Sequence, residues 1–502
     1  MKIRVGSLPR LIERRLDKQV SGLGLGVFRI AYGCVLLLEV MQLYYFRQFF
    51  FDPIPYVSPR ASDLTLGFHL WFVAIACLIL GLFTRPAAIV NYGFTLTSFS
   101  RFTAYEYHHD YILIGVNFLL IFLPLGRCLS LDRLIEKRRL RKEPSLAESS
   151  RTVSVLAYEV PVFVGVALVY FDSVVYKVFS PMWITGLGLW QPASAPYATF
   201  FDWSWLLDRQ LLMRALGVLV ILFEAVFIVL MWFRKARVPL LIFGVGFHLA
   251  ILLVLALPLF ALGVASLFLL LVPAGWWEVL VGRRGASLPA DECRHIAVLS
   301  KRSNPLAAHA VIGFLALVVL SQGLCLLASP PLARLTEPVR NTRVYEAWCA
   351  AARILLGVHA HAVFMDARYG PNSSQFAVVH VNAQGDETWL PVVTSRGHAS
   401  VYSTGRQQVY WMHRINGGEL RRDRMEDGIR RLTAFWAHKH GVDLRDAVFL
   451  IRVRHLKKAQ GWEAGLLRRQ KEQPWVTAGT AKWSDWHFSL DTPNLPVPPT
   501  PS

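Results

Sequence analysis

Nine apolar runs, each close to the ~20 residues needed to cross a bilayer core, dominate the sequence. They fall at about 24–48, 67–84, 86–105, 109–126, 153–178, 210–233, 237–257, 259–277 and 307–328. A soluble globule has no interior able to hide that much apolar length. Hydrophobic residues make up 54% of the 502-residue chain and charged ones 17%, where soluble domains carry ~25% charged residues. Disorder is excluded for the same reason. The first run is too long for a signal-peptide core and no small-residue cleavage site follows it, so it reads as a retained span. The run at 86–105 is the most polar. It holds Asn91, Arg101 and several Ser and Thr, and should face other helices more than lipid.

The loops between the runs set an orientation. The net charge of +19 does not point to nucleic acid, because the basic residues are concentrated in the N-terminal segment and in loops 127–151, 234–237 and 278–306. With nine crossings these all fall on one side. The opposite loops, 49–66 and 179–209, carry only Arg60 and Arg209. The positive-inside rule then puts the N-terminus in the cytoplasm and the C-terminal part on the outer side, whether periplasmic, extracellular or lumenal.

From about residue 330 the pattern shortens and charges return. Gln375–Val381 and Glu387–Val393 alternate around Asn-Ala-Gln-Gly-Asp and predict a hairpin. Val409–Ile415 and Ala447–Val453 read as strands, and Leu420–His440 has helical periodicity with Ile429, Leu432, Phe435 and Trp436 on one face. The expected fold is a polytopic α-helical membrane bundle of about nine transmembrane helices with a C-terminal mixed α+β extramembrane domain. The expected divisions are a basic cytoplasmic segment at 1–23, the bundle at 24–328, the outer domain at 329–487 and a disordered Pro-rich tail at 488–502.

The six cysteines form no C-x-x-C; three lie inside apolar runs as small buried hydrophobes, and Cys349 is left as the one candidate for a disulfide. Ionisable groups inside spans are costly and mark candidate sites. They include Arg29, Glu39, Arg101, Glu159, Asp172, Lys177, Glu224 and His248; the plain alternative for each is an ion pair between helices. The topology brings Arg101, His109, Asp110 and Lys177 to the outer end of the bundle, with His248 about halfway along its helix. A partly dehydrated lysine gives up its proton more readily than one in water, so Lys177 could act as a general base; otherwise it snorkels to the headgroups. His108-His109 on a helix and His359-Ala-His361 have weak metal-ligand spacing, and no metal site is expected.

Several stretches resemble the horizontally transferred transmembrane (HTTM) domain family, whose best-known member is the vitamin K-dependent gamma-carboxylase. Phe28-Arg29-Ile30-Ala31-Tyr32-Gly33 is similar to the family's first-helix pattern, and His109-Asp110-Tyr111-Ile112, with Leu123-Pro124 and Ser130-Leu131-Asp132, to that of its fourth helix. The segment Tyr170 to Gly186, containing Lys177 and Trp183, resembles the family's lysine-bearing motif, and Phe247-His248-Leu249 with Phe260 its seventh helix. His361-Ala-Val-Phe364 is a faint match to the segment entering the outer domain. The chain departs from the family at Ser173-Val174 and Tyr176, and has one extra residue between Lys177 and Trp183.

The resemblance implies a carboxylase-like enzyme using a lipid-soluble quinol, such as vitamin K hydroquinone, with CO2 and O2. Lys177 would be the general base and His109 its assistant. His248, Asp110, Tyr111, Trp183 and Arg101 would contact substrate, and a peptide or secreted protein would be met on the outer face. The competing expectation is a non-catalytic membrane scaffold or maturation factor whose outer domain holds a secreted or membrane partner.

Overall fold

The computed structural model describes residues 8–51, 54, 64–99, 105–139, 151–280, 305–366, 372–400, 405–415, 421–457 and 459–495. Each of the nine expected runs contains helix. The principal helices are α1 (Leu8–Asp17), α2 (Leu23–Tyr45), α3 (Thr65–Leu80), α4 (Thr84–Phe99), α5 (His108–Leu120), α6 (Leu156–Lys177), α7 (Gln210–Leu230), α8 (Arg237–Val254), α9 (Pro258–Phe268), α10 (Ala274–Leu280), α11 (Pro305–Leu326), α12 (Arg343–Leu356) and α13 (Arg422–His440).

Among the described residues, five helices are long and apolar enough to cross a membrane: α2, α6, α7, α8 with its preceding turn, and α11. The pair Pro258–Leu271 and Ala274–Leu280, bent by 98°, makes a sixth if it is one span. The expected nine are therefore not met on length. At ~1.5 Å per residue, α3 and α4, each 16 residues, and α5, 13 residues, fall short of ~30 Å of hydrocarbon. A left-handed Gly81 (φ 69°) ends α3, and a second helix starts at Thr84. α7, α8 and α11 leave most of their apolar surface uncovered, being 33%, 22% and 22% buried.

Several polar side chains inside the bundle are paired, which offsets the cost of burying them. Trp71 Nε1 donates to Asn91 Oδ1 at 2.8 Å, Asn117 Nδ2 to Thr95 Oγ1 at 2.9 Å, and Tyr32 Oη to Asn117 Oδ1 at 3.0 Å. Asn91 and Thr95 are fully buried, so α4 faces its neighbours as its polarity predicts. Glu159 accepts from Arg15 and Arg237, both at 2.5 Å. Arg29 takes backbone carbonyls instead of an acid, among them Leu125 O at 2.9 Å. The α6 helix holds one π-helical turn, Phe163–Ala167, just after Pro161.

The C-terminal domain is a five-stranded antiparallel sheet in the order β4-β3-β5-β6-β7, with α13 against one face. The strands are β3 (Asn372–Val381), β4 (Glu387–Trp389), β5 (Asp446–Lys457), β6 (Val476–Ser484) and β7 (His487–Asp491); two short strands, β1 (Gln19–Ser21) and β2 (Thr152–Ser154), pair separately. The hairpin, the helix near 422–440 and the strand at 447–453 lie where the patterning put them. Two expectations are corrected. Val409–Ile415 is helical, a turn at Arg406–Val409 followed by a π turn at Tyr410–Arg414. Its contacts recur at helical spacing: Trp411 Nε1 donates to Gln407 Oε1 at 3.2 Å, and both Trp411 and Ile415 are buried. The tail does not begin at 488, because His487–Asp491 pairs with β6 as an edge strand; residues 496–502 lie outside the described ones.

The two parts share one hydrophobic core. Arg431 on α13 donates through Nε to Phe49 O at 2.8 Å, and Tyr105 stacks on Tyr410 with ring centroids 4.2 Å apart.

Candidate functional site

The N-terminus of α5 is fixed from three directions. Asp110, in its first turn, accepts from the Tyr107 backbone N–H at 3.1 Å. Arg406, from the C-terminal domain, reaches the same carboxylate with both terminal nitrogens at 2.5 Å and grips Glu39 of α2 with Nη2 at 2.6 Å. Its guanidinium also lies 4.8 Å from the Phe99 ring centroid. All three charged groups are almost completely buried. One cation between two carboxylates, with bidentate geometry, is the arrangement in which buried charge is tolerated.

This anchoring positions His109. Its ring is fully buried, and neither nitrogen has a hydrogen-bond partner. Phe260 meets it edge-on at 6.1 Å between centroids. On the other side is Gly263 of α9, where a Cβ would sit 2.5 Å from His109 Cε1. Glycine is what lets α9 come this close.

His109 lines a cavity of about 250 Å³ together with His108, Tyr111, Phe260, His359 and Phe364. Glu106, Tyr107, Tyr197 and Arg414 add further polar groups to its lining. The wall bearing His359 is held by Asp172 of α6, which accepts from Gln322 Nε2 at 2.8 Å and from the His361 backbone N–H. Gln322 also donates to His359 O at 3.2 Å. The rings of His108, His359 and His361 lie 5.5–6.5 Å apart. Among the described residues no group of three or more His, Cys, Asp or Glu is arranged to hold a metal ion.

Lys177 is not among the residues lining this cavity. It is buried at the end of α6, with Nζ 2.6 and 2.7 Å from the two carboxylate oxygens of Glu224 on α7 and 4.4 Å from the Trp183 ring centroid. Trp183 Nε1 donates at 3.0 Å to the carbonyl of Phe364, a residue of the cavity wall. The amine therefore stands one side chain behind the wall. It does not snorkel to the headgroups but is held by Glu224 inside the protein. His248 is also behind the wall, its ring 5.9 Å from Phe260, with Nδ1 on Gly244 O at 2.9 Å and Nε2 unpartnered. Of the expected substrate contacts, Tyr111 lines the cavity; His248, Asp110 and Trp183 lie behind it; Arg101 is outside the described residues.

A family model for the HTTM domain matches residues 18–276, just over half of the chain. The chain belongs to the HTTM domain family. With its apolar helices, it is an integral membrane protein. No curated protein and no solved structure matches it. The HTTM match ends within α10, short of the expected boundary at 328, so α11, α12 and the sheet domain lie beyond it. Arg406 and His359 come from that remainder and complete a site begun by HTTM residues. Nothing in the sequence singles out Arg406 from the many other arginines of the C-terminal third. His359 carried only its faint two-residue spacing to His361.

Proposed function

We propose that this HTTM protein binds the ring of a lipid-borne phenolic or quinol compound in the 250 Å³ cavity, with His109 as the proton acceptor for its hydroxyl. The observation that carries the reading is a fully buried imidazole, both nitrogens unpartnered, facing a cavity walled by aromatic rings. A buried polar atom with no protein partner is a costly feature unless a ligand completes it. The cavity is near the lower end of ligand-pocket volumes, about 300 Å³, which suits a ring more than an extended chain.

A bound quinol would supply two electrons and two protons to an enzyme of the carboxylase-like kind. On this chain, Tyr111, Phe260 and Phe364 would stack the ring, and His109 would hold the proton removed from its hydroxyl. We place the base role on His109 rather than Lys177, because the imidazole lines the cavity and the Lys177 amine does not. Lys177 and Glu224 act instead as a fixed dipole behind Trp183. The test is titration of a short-tailed naphthohydroquinone into the protein in lipid nanodiscs, read by tryptophan fluorescence. His109→Gln should weaken binding at least tenfold with unchanged thermal stability. Equal binding by the two proteins overturns the reading.

We infer further that the chain crosses the bilayer nine times, with the N-terminus cytoplasmic and the sheet domain outside. The basic loops support this, and short helices such as α3–α5 are compatible with crossing where the bilayer thins around packed protein. Accessibility tags at the two ends should report opposite compartments; tags in one compartment sink the topology.

A further inference from the structure

The helix Leu131–Arg139, which follows α5, is built inside out. At about 100° per residue, Asp132, Arg133 and Glu136 share one face, and Leu131, Leu134, Ile135 and Arg138 share the opposite one. The polar face is the docked one. Asp132 accepts from the Phe83 and Thr84 backbone N–H groups at 2.8 and 3.0 Å, where α3 turns into α4. Arg133 is buried and donates to Glu136 at 2.7 Å. The apolar face looks away from the protein. Leu131, Leu134 and Ile135 are 37%, 56% and 40% exposed, and Phe83, whose N–H binds Asp132, is 64% exposed. A helix packed on a globule in water carries its faces the other way round.

The charges divide in the same way. Both acids of the helix, Asp132 and Glu136, are engaged on the docked face. Lys137, Arg138 and Arg139 are exposed, and among the described residues none of the three forms an ion pair or a hydrogen bond. Arg138 prolongs the apolar stripe, and Lys137 and Arg139 flank it.

We propose that this helix lies in the headgroup layer of one leaflet and binds anionic phospholipid. Leu131, Leu134 and Ile135 enter the acyl boundary, and Lys137, Arg138 and Arg139 take the lipid phosphates. An outward apolar stripe that ends in three cations matches the layering of an anionic leaflet, apolar beneath and negative at the surface. A second copy is a poor occupant of the same face, because a two-fold contact through the stripe sets like charges against each other. The lipid held there braces the turn between α3 and α4 through Asp132. The inference depends neither on what the cavity binds nor on which compartment this end of the bundle faces.

The experiment places the full chain in nanodiscs of phosphatidylglycerol or of phosphatidylcholine, one chain per disc, and follows hydrogen exchange of the peptide covering residues 131–139. That peptide should exchange at least about fivefold more slowly in phosphatidylglycerol. Lys137→Gln, Arg138→Gln and Arg139→Gln together should remove the difference, and so should Leu134→Glu, while peptides of β5 exchange alike in every sample. All four substitutions are at exposed positions, and unchanged β5 exchange verifies that the variants are folded. Inorganic phosphate added to the phosphatidylcholine discs should leave the peptide unprotected; protection by phosphate equal to that by phosphatidylglycerol overturns the lipid assignment in favour of a free anion. Equal exchange of the parent in the two lipids, a difference that survives the triple substitution, or protection found only where two chains share a disc also overturns the proposal.

Discussion

Lys177 Nζ lies 2.6 Å from one carboxylate oxygen of Glu224 and 2.7 Å from the other, with both side chains almost completely buried. Removing one partner leaves the other charged and alone in a medium that cannot solvate it. Lys177→Met or Glu224→Gln should each lower stability by about 3–5 kcal/mol, whereas Lys177→Met with Glu224→Leu should return to within about 1 kcal/mol of the parent. Fluorescence-monitored unfolding in one detergent compares them. Single variants as stable as the parent would show that the pair is not formed.

Arg406 should matter to more than its own domain. Arg406→Ala strands Glu39 and Asp110, and Arg406→Lys keeps the charge but loses the fork that reaches both. Each should loosen the C-terminal domain from the bundle, the alanine variant by about 3–5 kcal/mol. Limited proteolysis within residues 372–495 should quicken in both variants, more in the alanine one. Unchanged cleavage in Arg406→Ala would count against the clamp.

Gly263→Ala tests how closely α9 approaches α5. Its Cβ would sit 2.5 Å from the His109 ring, so the imidazole must move. Overpacking of this kind costs about 1–3 kcal/mol. Binding of the naphthohydroquinone probe should fall about tenfold, equivalent to about 1.4 kcal/mol, while α-helical circular dichroism stays the same. Parent-like binding would place the ligand elsewhere.

The bundle and the sheet domain are also tied by an exposed ion pair whose contribution depends on pH. Partial burial raises the Asp202 carboxyl, but hydrogen bonds from Lys471 and Ser204 outweigh it, so the group is held below the ordinary carboxylate range. A depressed folded value means that the stabilisation is present above the unfolded value, about 4, and is lost as the pH falls through the folded one. The stability difference between the parent and Asp202→Asn should be present at pH 7 and shrink below about pH 4. A difference that is constant with pH would remove Asp202 as its source.

What could be read from the chain followed from local rules. Apolar runs, basic loops and the polar residues of α4 each carry their message within twenty residues, so the helices and the inward-facing Asn91 and Thr95 were legible. So were the hairpin at 375–393 and α13. Val409–Ile415 was misread because β-branched and aromatic residues are common to strands and to fully buried helices; only the Gln407–Trp411 spacing separates them. The site was half legible. His109 and Tyr111, which the motif singled out, line the cavity. Lys177 shows no sign in the sequence that its partner is Glu224, 47 positions away. Arg406 is 296 positions from Asp110. Such pairings depend on how helices assemble, and no window along one chain contains that.

The π turn at Phe163–Ala167 carries a surplus residue inside α6. The wide turn takes up that residue locally, so the stretch beyond it keeps the facing that a regular helix one residue shorter would give it. Asp172 thus still meets Gln322 and His361, and Lys177 still meets Glu224. The slack is absorbed upstream, and the far end of α6 is spared a turn it could not tolerate.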